Sequence, residues 1–168
     1  MVNNEAQEKV KAEDLRRVMR KWATGVTIVT SVHGGIRHGM TVSSFTSVSL
    51  EPPIVTISLE NSSRTRDLVS ASRVFAITFL TSEQQEVSER FAGRQSEFTD
   101  RFAGLETWTF KTGAPLLNKG LAFLDCQVLA EYVFGANTLF IGKVIAAKLG
   151  QEGGPLLYHD RHYHTLQD

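Results

Sequence analysis

The sequence predicts a mainly β fold of the α+β class, an antiparallel barrel with flanking helices, in a single domain over residues 1–168. Strand-like runs are in the majority along the chain, and helical signals occur only at intervals between them. No repeated strand–helix unit is present, which argues against a parallel doubly wound sheet. A chain of 168 residues is long enough to bury a core of its own.

The N-terminal part predicts one helix followed by a β-hairpin. Four apolar residues follow the i, i+3, i+4, i+7 spacing of one helical face: Leu15, Val18, Met19 and Trp22. The helix is predicted to run to about Ala23, to stop near Gly25 and to cap the domain. From Val26 the pattern changes to β, with turn residues at 33–35 and a second strand over residues 39–43.

A strand, a short helix and another strand are predicted after the proline pair at 52–53. In the run 54–60 every second residue is apolar: Val55, Ile57 and Leu59. This alternation predicts a strand with one apolar face. Residues 61–66 are predicted to turn into a short helix that reaches residue 69, and the apolar run 73–80 is typical of a strand.

The remaining elements follow from capping and turn signals. Ser82 and Gln85 have the spacing of a capping box, which predicts a helix through Phe91 with Gly93 at its C-terminal cap. Residues 96–105 are predicted to form an exposed loop. Two long strands, 121–133 and 139–149, are predicted to join across the turn 135–137, and residues 155–166 to form one or two short strands.

The composition excludes several classes of function. Eighteen basic and eighteen acidic residues give a formal net charge of zero, so no attraction to nucleic acid or to an anionic membrane is predicted. The single cysteine, Cys126, lies in an apolar run, which predicts a buried thiol without a disulfide. The polar N-terminus has no signal-peptide pattern and no run is long enough to span a membrane, so a cytoplasmic protein is predicted.

The segment 39–65 is the most informative part of the chain, because it contains eleven serine and threonine residues and few charges in its first two-thirds. Small hydroxyls bring donors and acceptors close to a ligand, and they allow backbone N–H groups to approach a flat ring. Such chemistry suits a large, mostly uncharged ligand that carries a phosphate. The alternative is that these hydroxyls form the solvated face of an edge strand.

Six motifs, in this order, resemble the flavin reductase family: WATGVTIVTS, GMTVSSFTSVSLEPPIVTISL, NSSRT, EVSERFAG, NTLFIGKV and PLLYHDRHY. The resemblance covers nearly the whole chain, from about Leu15 to Tyr163. It implies an FMN-binding split β-barrel of the antiparallel Greek-key type and a homodimer. It also implies reduction of FMN or FAD by NADH or NADPH, with the reduced flavin passed to a separate monooxygenase.

The resemblance implies flavin-binding residues in three places. Five would line the isoalloxazine and the ribityl chain: Met40, Thr41, Val42, Ser43 and Ser44. Three would approach from the next strand: Ser58, Leu59 and Glu60. Three more lie at a turn opening a helix, where free N–H groups suit a phosphate: Ser63, Arg64 and Thr65. Arg90 and Phe91 would complete the flavin site or its adenine extension.

Some of these residues have a plainer interpretation. Ser63 also has the position of an ordinary helix N-cap, and capping is compatible with phosphate binding. Arg64 and Arg66 are also typical of solvated surface charges. The C-terminal histidines suggest a metal site only weakly, because no partner motif has a ligand spacing, and exposed polar residues are the plainer interpretation.

The resemblance implies a different role for the C-terminal segment, in which Tyr158, His159 and Arg161 lie beside the flavin and meet the nicotinamide dinucleotide. The chain departs from the family at one position. Where the family often has Gly-Asp-His, this chain has Gly-Ala-Asn, so Asn137 replaces an imidazole that contacts the nicotinamide or shuttles a proton. Asparagine forms hydrogen bonds but does not change its charge.

The implied reaction needs no catalytic side chain, because hydride passes from nicotinamide C4 to flavin N5 and the protein positions the two rings. The absence of a Gly-x-Gly-x-x-Gly motif fits a nicotinamide site outside the Rossmann fold. Two other functions stay open. One is an electron carrier or flavoenzyme with tightly held FMN, and the other is a β-barrel binding module without a cofactor.

Overall fold

A computed structural model describes residues 10–93 and 100–166. Three α-helices are present in these residues: α1 Ala12–Met19, α2 Arg64–Ser72 and α3 Gln85–Phe91. The strands before α2 are β1 Thr24–Gly25, β2 Thr27–His33, β3 Ile36–Val42, β4 Thr46–Leu50 and β5 Pro53–Glu60. Those after it are β6 Val74–Phe79, β7 Thr107–Thr109, β8 Pro115–Leu117, β9 Ala122–Phe134, β10 Asn137–Leu149, β11 Leu157–His159 and β12 His162–His164.

Seven strands form one antiparallel sheet in the order β3-β2-β6-β9-β10-β5-β4. The predicted hairpins β2–β3 and β9–β10 are both present. The sheet curls until β3 approaches β5, where the Ser44 hydroxyl donates to the Ser58 carbonyl at 2.7 Å and accepts from the Ser58 N–H at 3.2 Å. A side chain two residues after the end of β3 therefore bridges to β5 at the opening of the barrel. The mainly β fold with flanking helices is confirmed.

The core lies inside the curled sheet, as the alternation along β5 predicted. Val55, Ile57 and Leu59 are 4%, 0% and 0% exposed. They pack with residues of β2, β6, β9 and β10 in the main apolar cluster. Cys126 belongs to this cluster, which confirms the predicted burial, and burial raises the pKa of its thiol far above the usual range. The thiol is therefore protonated at neutral pH.

The prediction for the first helix was wrong in its end and in its packing. α1 ends at Met19, four residues before the predicted Ala23, and residues 24–25 pair with β11. No residue of α1 is buried, so the helix does not cap its own domain. Its apolar face is exposed, with Leu15 at 55% and Val18 at 67% exposure.

Two further local predictions need correction. The capping pair of the third helix is Thr81 and Gln84, one residue before the predicted pair, because a 3₁₀ turn over Ser82–Gln84 precedes α3. The Thr81 N–H donates to Gln84 Oε1 at 3.1 Å. The loop predicted to be exposed contains Arg101 and Phe102, which are 5% and 2% exposed, while residues 96–99 lie outside the described part.

Short sheets complete the described part of the fold. The last residues form two strands, β11 and β12, which join β1 in a three-stranded sheet, and β7 pairs with β8. The sequence indicated the first pair but not the second, and each of these four strands has only three residues. Over the ranges that the structure describes, no helix is long and apolar enough to cross a membrane.

We expect Gly142→Ala to lower the free energy of unfolding by about 1–3 kcal/mol. A Cβ at this position would lie 2.5 Å from Phe75 Cζ, so the buried ring must move. Urea denaturation measures the change. Gly25→Ala is the matched control, because no atom lies within 4 Å of the point that its Cβ would occupy, and it should shift stability by less than about 0.5 kcal/mol. Equal effects of the two substitutions would contradict close packing at Gly142.

Candidate functional site

A cavity of about 590 Å³ lies where β3, the start of α2, the end of α3 and the β11–β12 hairpin meet. Nine of the predicted binding residues line it: Met40, Thr41, Ser43, Glu60, Ser63, Arg64, Thr65, Phe91 and Tyr158. These residues come from five elements, β3, β5, α2, α3 and β11, and from the turns after β3 and before α2. The structure therefore brings together most of what the sequence predicted, in a volume typical of a site for a small molecule or cofactor.

The start of α2 forms one end of the cavity. Ser63 is its N-cap: the hydroxyl accepts from the Arg66 N–H at 3.3 Å and donates to the Glu60 carbonyl at 2.8 Å. The next two N–H groups, of Arg64 and Thr65, have no acceptor within the helix by helix geometry. The positive end of the helix dipole therefore faces the cavity, which favours an anion.

A buried pair of side chains lies behind this helix end. His38 and Thr65 are 8% and 0% exposed, and His38 Nδ1 lies 2.8 Å from Thr65 Oγ1. The Thr65 hydroxyl is therefore engaged within the protein. Its contribution to a ligand would come from the backbone, whereas Ser62 and Arg64 have exposed side chains.

The wall formed by β3 offers backbone groups to a ligand, because β3 is an edge strand that pairs only with β2. The Val42 carbonyl points to β2, where it accepts from Thr27 Oγ1 at 2.8 Å. Backbone direction alternates along an antiparallel strand. The Gly39 carbonyl accordingly points the other way and accepts from Arg101 Nη1 at 3.0 Å. The N–H and C=O of Thr41 follow the same direction and face the open edge.

Hydrogen bonds fix α3 against this wall. The Thr41 hydroxyl donates to the Ser88 carbonyl at 2.6 Å, and Ser88 Oγ lies 2.9 Å from the Tyr163 hydroxyl. Arg101 Nη1 also donates to the Phe91 carbonyl at 3.1 Å. The cavity wall therefore has a rigid polar frame.

The charges around the cavity favour an anionic ligand. Arg64 and Arg101 line it together with Glu60, and Arg101 is only 5% exposed. Among the described residues that line the cavity, the guanidinium groups outnumber the carboxylates. A buried guanidinium strengthens the field, because screening by water is weaker there.

A second cavity of about 680 Å³ adjoins the first and shares Ser43 and Tyr158 with it. Four of its described lining residues are basic: Arg16, Arg20, His159 and Arg161. The carboxylate of Asp160 is engaged by the Lys21 ammonium at 3.0 Å. This hydrogen bond and the charge of Lys21 lower the pKa of Asp160, so the carboxyl is ionised at neutral pH.

Metal binding finds no support in the part of the chain that the structure describes, residues 10–93 and 100–166. No group of three or more His, Cys, Asp or Glu side chains in these ranges is placed to hold an ion. His159 and His164 pack edge to face with ring centroids 5.8 Å apart.

Comparison with known proteins identifies the family. A family model described as "Flavin reductase like domain" matches residues 19–167, most of the chain. The chain belongs to this family. The flavin reductase resemblance of the six motifs is therefore confirmed, and with it the class of NAD(P)H:flavin oxidoreductases.

Relatives with assigned activities match over most of their length. The chain is 34% identical to the reductase component of FADH2-dependent resorcinol hydroxylase from Rhizobium sp. (strain MTP-10005), over 96% of this chain and 90% of that protein. It is 33% identical to the NADH-dependent flavin reductase of Rhodococcus sp., over 91% and 85%. The solved structure of flavin reductase PheA2 in its native state superposes with a TM-score of 0.85 at 34% identity, covering 95% of this chain and all 100% of that one.

Other residues implied by the flavin reductase resemblance lie elsewhere. Val42 and Leu59 are 4% and 0% exposed, so their side chains belong to the core and not to the cavity. Ser44 and Ser58 bond to each other across the barrel opening. Ser44 also lines the second cavity, as do His159 and Arg161.

Two more implied residues, Arg90 and Asn137, line neither cavity. Arg90 is directed away, since its Nη1 donates to the Ala103 carbonyl at 2.9 Å. Asn137 is exposed at the start of β10, where its backbone pairs with Glu60. Asn137, where the resemblance implied a histidine, is thus next to the cavity-lining turn but outside the cavity.

The lining residues that sequence reasoning missed include His38, Arg101 and Tyr163, besides Ser62 next to the predicted Ser63. His38 had a signal, because it lies two residues before Met40 and so shares its face of β3. Tyr163 pairs with Tyr158 across the β11–β12 hairpin, and a hairpin prediction for these residues would have indicated it. Arg101 had no local signal, because its two carbonyl partners lie 10 and 62 residues away.

Proposed function

We propose that the 590 Å³ cavity is the flavin site of this NAD(P)H:flavin oxidoreductase, where a bound flavin would accept at N5 the hydride of nicotinamide C4. The observation that carries the proposal is the cavity itself. It combines an open strand edge, which suits the polar edge of a flat ring, with a helix N-terminus and arginines, which suit a phosphate. The donor set therefore fits FMN and the FMN half of FAD.

The residues of this chain would hold the flavin at two ends. The backbone of β3 around Thr41 would bind the edge of the isoalloxazine, with Met40 and Tyr158 against its surface. The N–H groups at the start of α2, the Ser62 hydroxyl and the Arg64 guanidinium would bind the phosphate. The hydrogen-bonded frame of Thr41, Ser88 and Tyr163 would keep the ring in a fixed plane.

The second cavity would receive the nicotinamide dinucleotide, because it opens onto the first beside Tyr158 and is mainly basic. Arg161 and Arg20 would pair with its pyrophosphate. The protein would accelerate the reaction by placing the two rings at close range and by excluding water. The hydride transfer itself needs no side chain that exchanges a proton with the ring.

The proposal includes a homodimer and a partner monooxygenase that consumes the reduced flavin. The exposed apolar face of α1 supports the dimer, because a second copy would cover it. Met19, at the end of this helix, and the nearby Trp22 also line the second cavity. The partner is supported by the reductase relatives, which are components of hydroxylases and monooxygenases. A cytoplasmic location is supported by the free buried thiol of Cys126.

Stopped-flow oxidation of NADH and of NADPH, with added FMN, FAD or riboflavin, tests the function. We expect one of the two reductants to be oxidised while the added flavin is reduced, with many turnovers per protein molecule. No turnover with any pair would contradict the reductase. Flavin that purifies with the protein in a fixed ratio and is never released would favour the alternative of a flavoenzyme with tightly held FMN, which Asn137 motivates.

A further inference from the structure

One buried hydroxyl joins both ends of the turn that lines the proposed phosphate site. The four residues 62–65 line the cavity in sequence, with Asn61 immediately before them and Arg66 immediately after. The Thr138 hydroxyl donates to Asn61 Oδ1 at 2.7 Å and accepts from Arg66 Nε at 3.1 Å. Thr138 itself is 0% exposed and does not line the cavity.

The other side of Asn61 is held by the turn between β9 and β10. Its Nδ2 donates to the Gly135 carbonyl at 3.1 Å, and its backbone N–H donates to the Ala136 carbonyl at 2.8 Å. The amide oxygen of Asn61 thus faces Thr138 and the amide nitrogen faces Gly135, which fixes the orientation of the side chain.

We propose that Thr138 is a positioning residue for the flavin phosphate, acting through Asn61 and Arg66 to hold residues 62–65 in their binding conformation. The inference rests on the function proposed above. A phosphate needs several N–H groups and the Arg64 guanidinium directed to one point, so a small displacement of the turn weakens its binding. The ring rests on β3, which the Thr138 hydroxyl does not contact.

Thr138→Val removes both hydrogen bonds and keeps the shape of the side chain. Asn61 and Arg66 then lose their shared buried partner and turn towards water, so the turn occupies its binding conformation for a smaller fraction of the time. The apparent dissociation constant rises by the reciprocal of that fraction. A ligand without the phosphate is not affected, and this separates a positioning role from a general loss of structure.

The experiment titrates FMN and riboflavin into each variant and follows the quenching of flavin fluorescence. For Thr138→Val we expect the dissociation constant of FMN to rise about tenfold and that of riboflavin to change less than about twofold. Thr138→Ser keeps the hydroxyl and should restore FMN binding. Thr56→Val is the matched control, because Thr56 lies on the neighbouring strand and its hydroxyl makes no hydrogen bond within the described residues.

Three outcomes would overturn the inference: unchanged FMN binding in Thr138→Val, equal losses for FMN and riboflavin, or failure of Thr138→Ser to restore binding. Should Thr138→Val not fold, Arg66→Lys carries the same test, because it keeps the charge and removes the Nε donor. Wild-type protein that binds neither flavin would instead refute the proposed function, and so the two failures are distinguishable.

Discussion

Arg101→Met is expected to lower the free energy of unfolding by about 3–5 kcal/mol and to weaken flavin binding at least tenfold. Arg101 is 5% exposed, and its Nη1 donates to the carbonyls of Gly39 and Phe91 at 3.0 and 3.1 Å. Methionine fills similar space but leaves both buried carbonyls without this donor. Urea denaturation measures the first effect, and flavin titration below the unfolding transition measures the second.

The flavin effect follows because Arg101 connects β3 to the end of α3 across the cavity. Without it, Phe91 loses a constraint on its backbone, and the cavity loses one of its two guanidinium groups. Arg101→Lys keeps the charge but not the planar geometry of the donor, so we expect it to recover flavin affinity only in part.

Arg90→Met is the control for this substitution. Arg90 is also an arginine at the end of α3, but it is only partly buried and it donates to Ala103, outside the cavity. We expect a loss of about 1 kcal/mol or less and unchanged flavin affinity. A larger loss of flavin binding in Arg90→Met than in Arg101→Met would contradict this expectation. Arg90 would then belong to the flavin site, as the family resemblance implied, and Arg101 would not support the cavity wall.

The sequence predicted the elements whose signals are local. Alternation along β5 needs only neighbouring residues, and the same holds for the hairpin turns and for Ser63 as the cap of α2. The capping pair of α3 was misplaced by one residue, because Thr81 and Ser82 are both suitable caps and only the Gln84 side chain distinguishes them. Propensity cannot decide between such neighbours.

The candidate site was predictable where it is continuous in the chain and not where it depends on folding. Residues 63–65 and most of 40–43, which the motifs implied, line the cavity. Thr138 and Arg101 were not predicted, because their roles come from contacts with residues far away in the sequence. The motif also does not distinguish Val42, whose side chain is in the core, from its neighbours that face the cavity.

The packing of α1 was predicted wrongly for a reason that concerns the assembly. The spacing of its apolar residues indicates a face to be buried, yet the described part of the chain buries none of them. Sequence periodicity predicts that a helix face is covered, but it does not tell which chain covers it. A second copy is the cover that we propose, since a two-fold dimer buries the same face in both copies.

Val18→Asp is therefore expected to dissociate the proposed homodimer, raising its dissociation constant more than about 100-fold. Val18 is 67% exposed in the protomer, and two-fold symmetry places the new charge in the interface twice. Flavin turnover should fall at concentrations where the variant is a monomer, because Met19 and Trp22 border the second cavity. Sedimentation velocity measures the assembly.

Val133→Asp is the control, because Val133 is 59% exposed on β9. Dissociation by Val133→Asp alone would place the interface on β9 and refute the role of α1.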